Sequence, residues 1–416
     1  MTTQQAQTAE SVDFDHHSPA YAEHWRETYA DLRGRCPVAH STAHGGFTVL
    51  TRYADVEAVV KDDASFSSRH DPDPASPFKG ITLPEAPVIS TPIEMDPPLH
   101  TAYRKYLNPW FSPGRSKSYE PFVRSVTTAM LDAVIETGTI DLVHDLASPV
   151  PALLTAQVLG VPLTDWRLYS DAAHSIVFNP PGTAEFEAAV AKNLKVLEHC
   201  FQTVLARRAE PKDDLISVFV DMEIDGEKLS DQRIVEMCNL VIAGGNDTTT
   251  SLLANAFAWL VEHPDQRAWL AADPARIPAA CEEFLRYFTP TQALARTVTR
   301  DVEIGGCPLR EGDRVLISFA AANQDPEMFD RPDEVVLGRW PNRHQAFGLG
   351  AHRCLGSNLT RVEFRVVLEE VLRRIPDFQI DFTAAQRYPT IGIVNGWIDM
   401  PAVFTPGGKV GSGFVL

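Results

Sequence analysis

Phe347-Gly348-Leu349-Gly350-Ala351-His352-Arg353-Cys354-Leu355-Gly356 leads almost directly into NLTRVEFRVVLEEVLRRI, residues 358–375, whose apolar positions recur at helical spacing. A glycine-rich loop that delivers a cysteine to the start of a helix has a chemical meaning. Glycines let the backbone take left-handed conformations and approach a bound group closely. Amide N–H groups and the positive end of the following helix favour an anion, here the thiolate of Cys354. A thiolate on iron donates electron density that favours O–O cleavage, which points to oxygen activation rather than oxygen carriage. A lone cysteine in a turn is more often a small buried apolar side chain, so the weight rests on the whole loop and on what agrees with it elsewhere.

The rest of the chain sets the frame. Its 416 residues are 44% hydrophobic, enough to bury a sizeable core, and its formal charge of −18 argues against a nucleic-acid partner. No stretch of about 20 residues stays apolar, so membrane insertion is not expected. The opening MTTQQAQTAESVDFDHH lacks the basic start and apolar centre of a secretion signal, and a cytoplasmic protein is expected. The cysteines at 36, 200, 238, 281, 307 and 354 form no CxxC pair, which suggests neither a disulfide framework nor a structural zinc site.

Residues 1–20 are polar and aperiodic and read as a flexible leader ahead of one domain over 21–416. In HGGFTVLTRYADVEAVVKD, residues 44–62, alternation around Phe47, Val49 and Leu50 gives way to helical spacing at Val56, Val59 and Val60. The proline-rich stretch Asp71 to Pro98 lacks periodicity and reads as a substrate-covering loop. Helical patterns dominate from Thr101 to about Arg208. Ser230 is placed to cap a helix from Asp231 to about Glu262, roughly 48 Å long. After Pro290 the pattern turns to short β segments. The fold class is therefore mainly α with smaller β-sheets, in a single domain with a helix-rich and a strand-rich part.

The pattern FxxGxxxCxG resembles the haem-binding loop of the cytochrome P450 family. The resemblance implies haem b between the long central helix and the Cys-loop helix, with Cys354 as axial thiolate, Phe347 packed beside it, and Gly350 and Gly356 folding the loop. Other family motifs occur in order. Glu283 and Arg286 form an ExxR pair that shares a helix face; Arg339 is the candidate third member of that network, with Arg343 a nearby alternative. Val335 stands where the following PxxF-like stretch more often has an aromatic. Ala243-Gly244-Gly245-Asn246-Asp247-Thr248-Thr249 resembles the oxygen-activating motif, and its interior glycines cost about 2 kcal/mol relative to alanine, which suggests a kink with Ala243 and Gly244 against the cofactor. Asp247 and Thr248 are the candidate catalytic pair, delivering protons to bound oxygen. His100 and Arg104 in HxxxR, with Arg296 and His352, match the positions that hold the haem propionates.

The resemblance spans about Phe47 to Phe404 and implies a monooxygenase of the soluble bacterial type. It uses dioxygen as co-substrate and draws electrons from a ferredoxin and its ferredoxin reductase, so that NAD(P)H acts only indirectly. Arg104, Lys105, Arg343, His344, Arg353, Arg361 and Arg365 form a candidate basic docking patch. Family topology implies substrate contacts at Phe78, Ile89, Ile176, Phe178, Leu240, Gln292, Leu294, Ile393 and Val394, mostly apolar, favouring a lipophilic terpenoid, steroid, fatty or polyketide-like small molecule. An amino acid tethered to a carrier protein is the alternative substrate. Non-hydroxylating chemistry on the same fold, and a haem-thiolate sensor, are the rival functions; the Asp247–Thr248 pair argues against the sensor. A monomer is expected.

Overall fold

The computed structural model describes residues 10–415. Its spine is the helix Asp231–Glu262, capped as expected by Ser230, whose Oγ accepts the Arg233 N–H at 3.2 Å. Around it pack the helices Pro149–Leu159, Trp166–Phe178, Ala184–Ala209, Ile277–Phe288 and Ser357–Arg374. A helix covered on most sides needs apolar or small residues all round. Accordingly Ile234, Met237, Leu252, Leu253, Phe257 and Leu260 are all buried in one core.

Strands form a second layer. The largest sheet runs in the order Ser11–Val12, Val38–Ser41, Phe47–Leu50, Arg314–Ser318, Ala293–Val298, Phe66–Ser67. Leu316 pairs with Val49 in parallel on one side and with Ala295 in antiparallel on the other. The strand at Phe47–Leu50 and the helix at Tyr53–Lys61 stand where the change of periodicity placed them.

The expected flexible leader needs correction where it is described. Ser11–Val12 pairs with His40–Ser41, and Val12 and Phe14 are buried. His16 and His17 are buried too, each donating its Nε2 hydrogen to the Leu83 carbonyl, at 3.0 and 2.8 Å. A shared backbone acceptor makes burial of two polar rings tolerable, which a polar composition cannot reveal. Residues 1–9 of that expected leader lie outside the described residues.

The proline-rich stretch is ordered around a buried carboxylate. Glu94 accepts from Ile81 N at 3.0 Å, Ser90 N at 2.7 Å and His70 Nδ1 at 3.0 Å. It thereby closes the loop on itself, beside a short antiparallel bridge between His70 and Lys79, where prolines leave few backbone donors. Among the described residues no helix is long and apolar enough to cross a membrane.

Candidate haem-thiolate site

The cysteine loop is built by close contacts. Cys354 N donates to Phe347 O at 2.7 Å, closing the turn, and Ser357 then opens the helix. Gly350 has φ +65°, and a Cβ there would lie 2.6 Å from Val60 O, so the loop is seated on the end of the helix Tyr53–Lys61. The Phe347 ring carries the Arg361 guanidinium at 4.6 Å from its centroid. Cys354 is exposed as a residue at the head of this turn. Burial pushes the thiol up from its ordinary value, against the opposing pull of the Gly356 N–H and of Arg104, Arg353 and Arg361.

The long helix carries the next part of the expected site. Ala243 and Gly244 are exposed in mid-helix although Ile242 and Asn246 beside them are only 3% exposed. The glycines have different reasons. A Cβ at Gly244 would meet nothing within 4 Å, whereas one at Gly245 would fall 2.4 Å from Thr155 Oγ1. Gly245 is thus a packing notch and Gly244 leaves room. The expected kink is not a break: the helix is continuous through these residues, and Thr248 Oγ1 donates to Gly244 O at 2.9 Å.

The polar residues expected at the cofactor edge come together. His100 and His352 stand with ring centroids 4.1 Å apart, and the Nδ1 of each is buried without a partner among the described residues. Arg296 is 3% exposed, and its Nη1 donates to the Ala295 carbonyl at 2.8 Å. Burial, then the nearby arginines, lowers His100 to about 4 and His352 to about 2, so both rings are neutral at pH 7. Arg104 donates to Arg353 O and to Asn108 Oδ1, each at 3.0 Å, tying its helix to the cysteine loop. Among the described residues Arg296 has no carboxylate at ion-pair distance, Asp63 and Asp96 acting on it only from farther off, and it and the orphaned ring nitrogens beside it fit a group that brings its own carboxylates, as haem does.

The ExxR network is resolved. Glu283 accepts from Arg286 and, at 3.0 Å, from Arg339 Nε, with Asn342 Nδ2 adding a bond at 3.1 Å. Arg343 is not in it; its carbonyl accepts from Tyr53 OH.

Several expectations need correction. Arg361 is held by Glu282 through two hydrogen bonds, Arg365 by Glu120 and Glu369, and His344 by Glu282, so these three are occupied rather than free for docking. Among the expected substrate contacts, Gln292 is fully buried, with its Nε2 donating to Phe288 O and Thr289 O, and Val394 is core. Phe78 lies under the Arg69 guanidinium at 3.8 Å. Ile89 lines a cleft of about 600 Å³ shared with Val88, Leu197 and Val235, and none of the residues lining it belongs to the cysteine loop. Ile176, Phe178, Leu240, Leu294 and Ile393 remain half-buried.

Sequence reasoning missed His174 and Tyr388. Asp247, 2% exposed, accepts from His174 Nδ1 at 2.6 Å and from Tyr388 OH at 2.8 Å. These partners lie 73 and 141 positions away along the chain, beyond any local signal.

A cytochrome P450 family model matches residues 163–273 and 277–387. The steroid C26-monooxygenase of Mycolicibacterium smegmatis is 34% identical over 92% of this chain and 94% of its own length. The chain is a cytochrome P450. Its fold agrees: a mutant of P450 EryK in complex with erythromycin B superimposes with a TM-score of 0.83 at 31% identity, covering 94% of this chain and 98% of that one. A Mycobacterium marinum P450 in complex with pseudoionone gives 0.86 at 28% identity, over 96% and 100%. Membership makes this P450 a monooxygenase that carries haem on a cysteine thiolate and uses dioxygen.

Proposed function

We propose that this P450 hydroxylates a lipophilic small molecule with electrons from a ferredoxin, and that Asp247 and Thr248 manage the protons. The observation that carries the reading is the acid–alcohol pair one turn along the helix from the exposed Ala243 and Gly244. Haem held by a thiolate supplies dioxygen activation and the oxidising power for C–H hydroxylation. The chain's own residues do the rest. Cys354 would hold the iron, and His100, Arg104, Arg296 and His352 would receive the propionates. Asp247 keeps a buried, proton-accepting Oδ2 free of partners among the described residues. Thr248, turned off the Gly244 carbonyl, would present its hydroxyl to the open space and pass a proton on. The reaction consumes one dioxygen, two electrons and two protons, and yields an alcohol and water.

Ile176, Phe178, Leu240, Leu294 and Ile393 would give the substrate an apolar wall. Two relatives named steroid C26-monooxygenases, at 34% and 35% identity, and a Bacillus megaterium P450 structure in complex with testosterone support a bulky lipophilic substrate. For the ferredoxin, Lys105, Arg343 and Arg353 have no ion-pair partner among the described residues. The test is turnover of steroid and terpenoid candidates under labelled dioxygen with a ferredoxin system. One labelled oxygen in a hydroxylated product supports the reading; an unlabelled, rearranged product rejects it in favour of non-hydroxylating chemistry.

A further inference from the structure

Asp247 does not stand alone. Its Oδ1 accepts from Tyr388 OH and from His174 Nδ1, and Tyr388 OH and His174 Nδ1 are themselves 2.9 Å apart. An ionised carboxylate only accepts, so His174 Nδ1 carries a hydrogen, and in the neutral ring Nε2 is a lone pair. That Nε2 is buried without a partner among the described residues. So are Asp247 Oδ2 and the Ser251 hydroxyl one helical turn on. Ser251 belongs to the same cluster: a Cβ at Gly396 would lie 2.4 Å from its Oγ and 2.7 Å from the Tyr388 ring.

Buried polar atoms with unmet capacity, gathered within one cluster, are the setting in which ordered water is held. The cluster also has an outer side. His174 is 12% exposed and Asp247 2%, so the imidazole is the member nearer solvent. It stands on the helix Trp166–Phe178, and Phe178 packs on both His174 and Tyr388, with centroids 5.2 and 5.5 Å away.

We propose that His174 is the proton entry to Asp247 and, with Tyr388, the pair that positions this carboxylate. Water delivers a proton to Nε2 while Nδ1 releases its own to Asp247 Oδ1. One proton moves inward and no electrons are exchanged; once Asp247 has passed its proton on, the ring regains its first tautomer by solvent exchange, one proton leaving Nε2 to water and one arriving at Nδ1 from water. Tyr388 keeps the carboxylate aimed during the transfer. His174 is a positioning residue, acting through Asp247, and the inference rests on Asp247 being the proton carrier proposed above.

The experiment uses the haem-loaded enzyme with its reductase system and a turned-over substrate, comparing parent, His174→Gln, Tyr388→Phe, Asp247→Asn and the double variant His174→Gln/Asp247→Asn. Expected for His174→Gln is a fall in product per electron pair on the order of tenfold to a hundredfold. Electrons should be diverted to peroxide and the solvent isotope effect raised, with the thiolate carbon monoxide band and substrate-binding spectrum unchanged. The double variant should be no worse than Asp247→Asn, because both act on one path. Independently of turnover, nitrogen-15 histidine spectra of the resting protein should show one ring protonated at Nδ1 that is absent from His174→Gln and altered in Asp247→Asn. A damaged Asp247→Asn beside a parent-like His174→Gln would overturn the His174 assignment and leave Asp247 standing. A parent-like Asp247→Asn would remove the reading beneath it. Tyr388→Phe keeps the ring packing and should give a smaller loss of the same kind, so that a poorly folded His174 variant still leaves a decisive measurement; an unaffected Tyr388→Phe removes Tyr388 from the positioning pair.

Discussion

Arg286 and Glu283 meet inside the protein through paired hydrogen bonds, Nε to Oε2 at 2.9 Å and Nη2 to Oε1 at 2.8 Å, with neither side chain exposed. The remaining guanidinium hydrogens go to the carbonyls of Asn323, Pro332 and Glu334. Every charge is thus answered, and the pair fastens its helix to the segment that precedes the cysteine loop. Arg286→Leu leaves Glu283 with fewer partners in the interior and should cost about 3–5 kcal/mol, read as a lowered denaturation midpoint and a reduced haem content of purified protein.

Neighbouring glycines on the long helix should respond in opposite ways. Gly245→Ala drives a methyl into Thr155 Oγ1 and should destabilise by about 1–3 kcal/mol, with Thr155→Ala restoring much of the loss. Gly244→Ala meets open space and should stabilise by about 0.5–1 kcal/mol through helix propensity, while narrowing the room beside the oxygen site. Thermal unfolding of the variants, with and without Thr155→Ala, checks both signs.

Glu282 provides an acid-stability test. Burial raises its carboxyl, but hydrogen bonds from Arg361 and His344 outweigh that and hold it at about 2, against an ordinary 4.5. A depressed carboxylate contributes stability that is complete above pH 4.5 and is lost as pH falls toward 2. Glu282→Gln should therefore be less stable than the parent at neutral pH, and the difference should shrink over that window. Chemical denaturation at a series of pH values measures it; a difference that stays constant with pH contradicts the assignment.

Docking should distinguish free cations from occupied ones. Arg353→Glu should slow reduction by ferredoxin severalfold at low salt and much less at high salt. Arg361→Glu should act instead by lowering stability, because Arg361 is engaged by Glu282. Stopped-flow reduction at two ionic strengths, beside unfolding curves, separates these effects.

The cysteine loop should be intolerant at Gly350. An alanine there combines a left-handed φ of +65° with a Cβ 2.6 Å from Val60 O, so Gly350→Ala should lower haem retention even though Cys354 is intact. The carbon monoxide difference spectrum of the reduced protein reports the loss directly.

Local chemistry decided what the chain itself could announce. The loop from Phe347 to Gly356, the Ser230 cap, and the change from strand to helix at Arg52 are written in adjacent residues, because turn geometry, capping and hydrophobic period act over a few positions. Those features were enough to place the long helix, the cysteine loop and the family. What lay beyond them was the pairing of residues far apart in the chain. Only the folded structure chose Arg339 over Arg343 for Glu283, showed Arg361 and Arg365 to be occupied, packed Val12 and Phe14 into the core, and brought His174 and Tyr388 to Asp247. Hydrogen bonds and ion pairs require contact within a few ångströms, and contact between distant positions is set by how the helices pack, not by spacing along the chain.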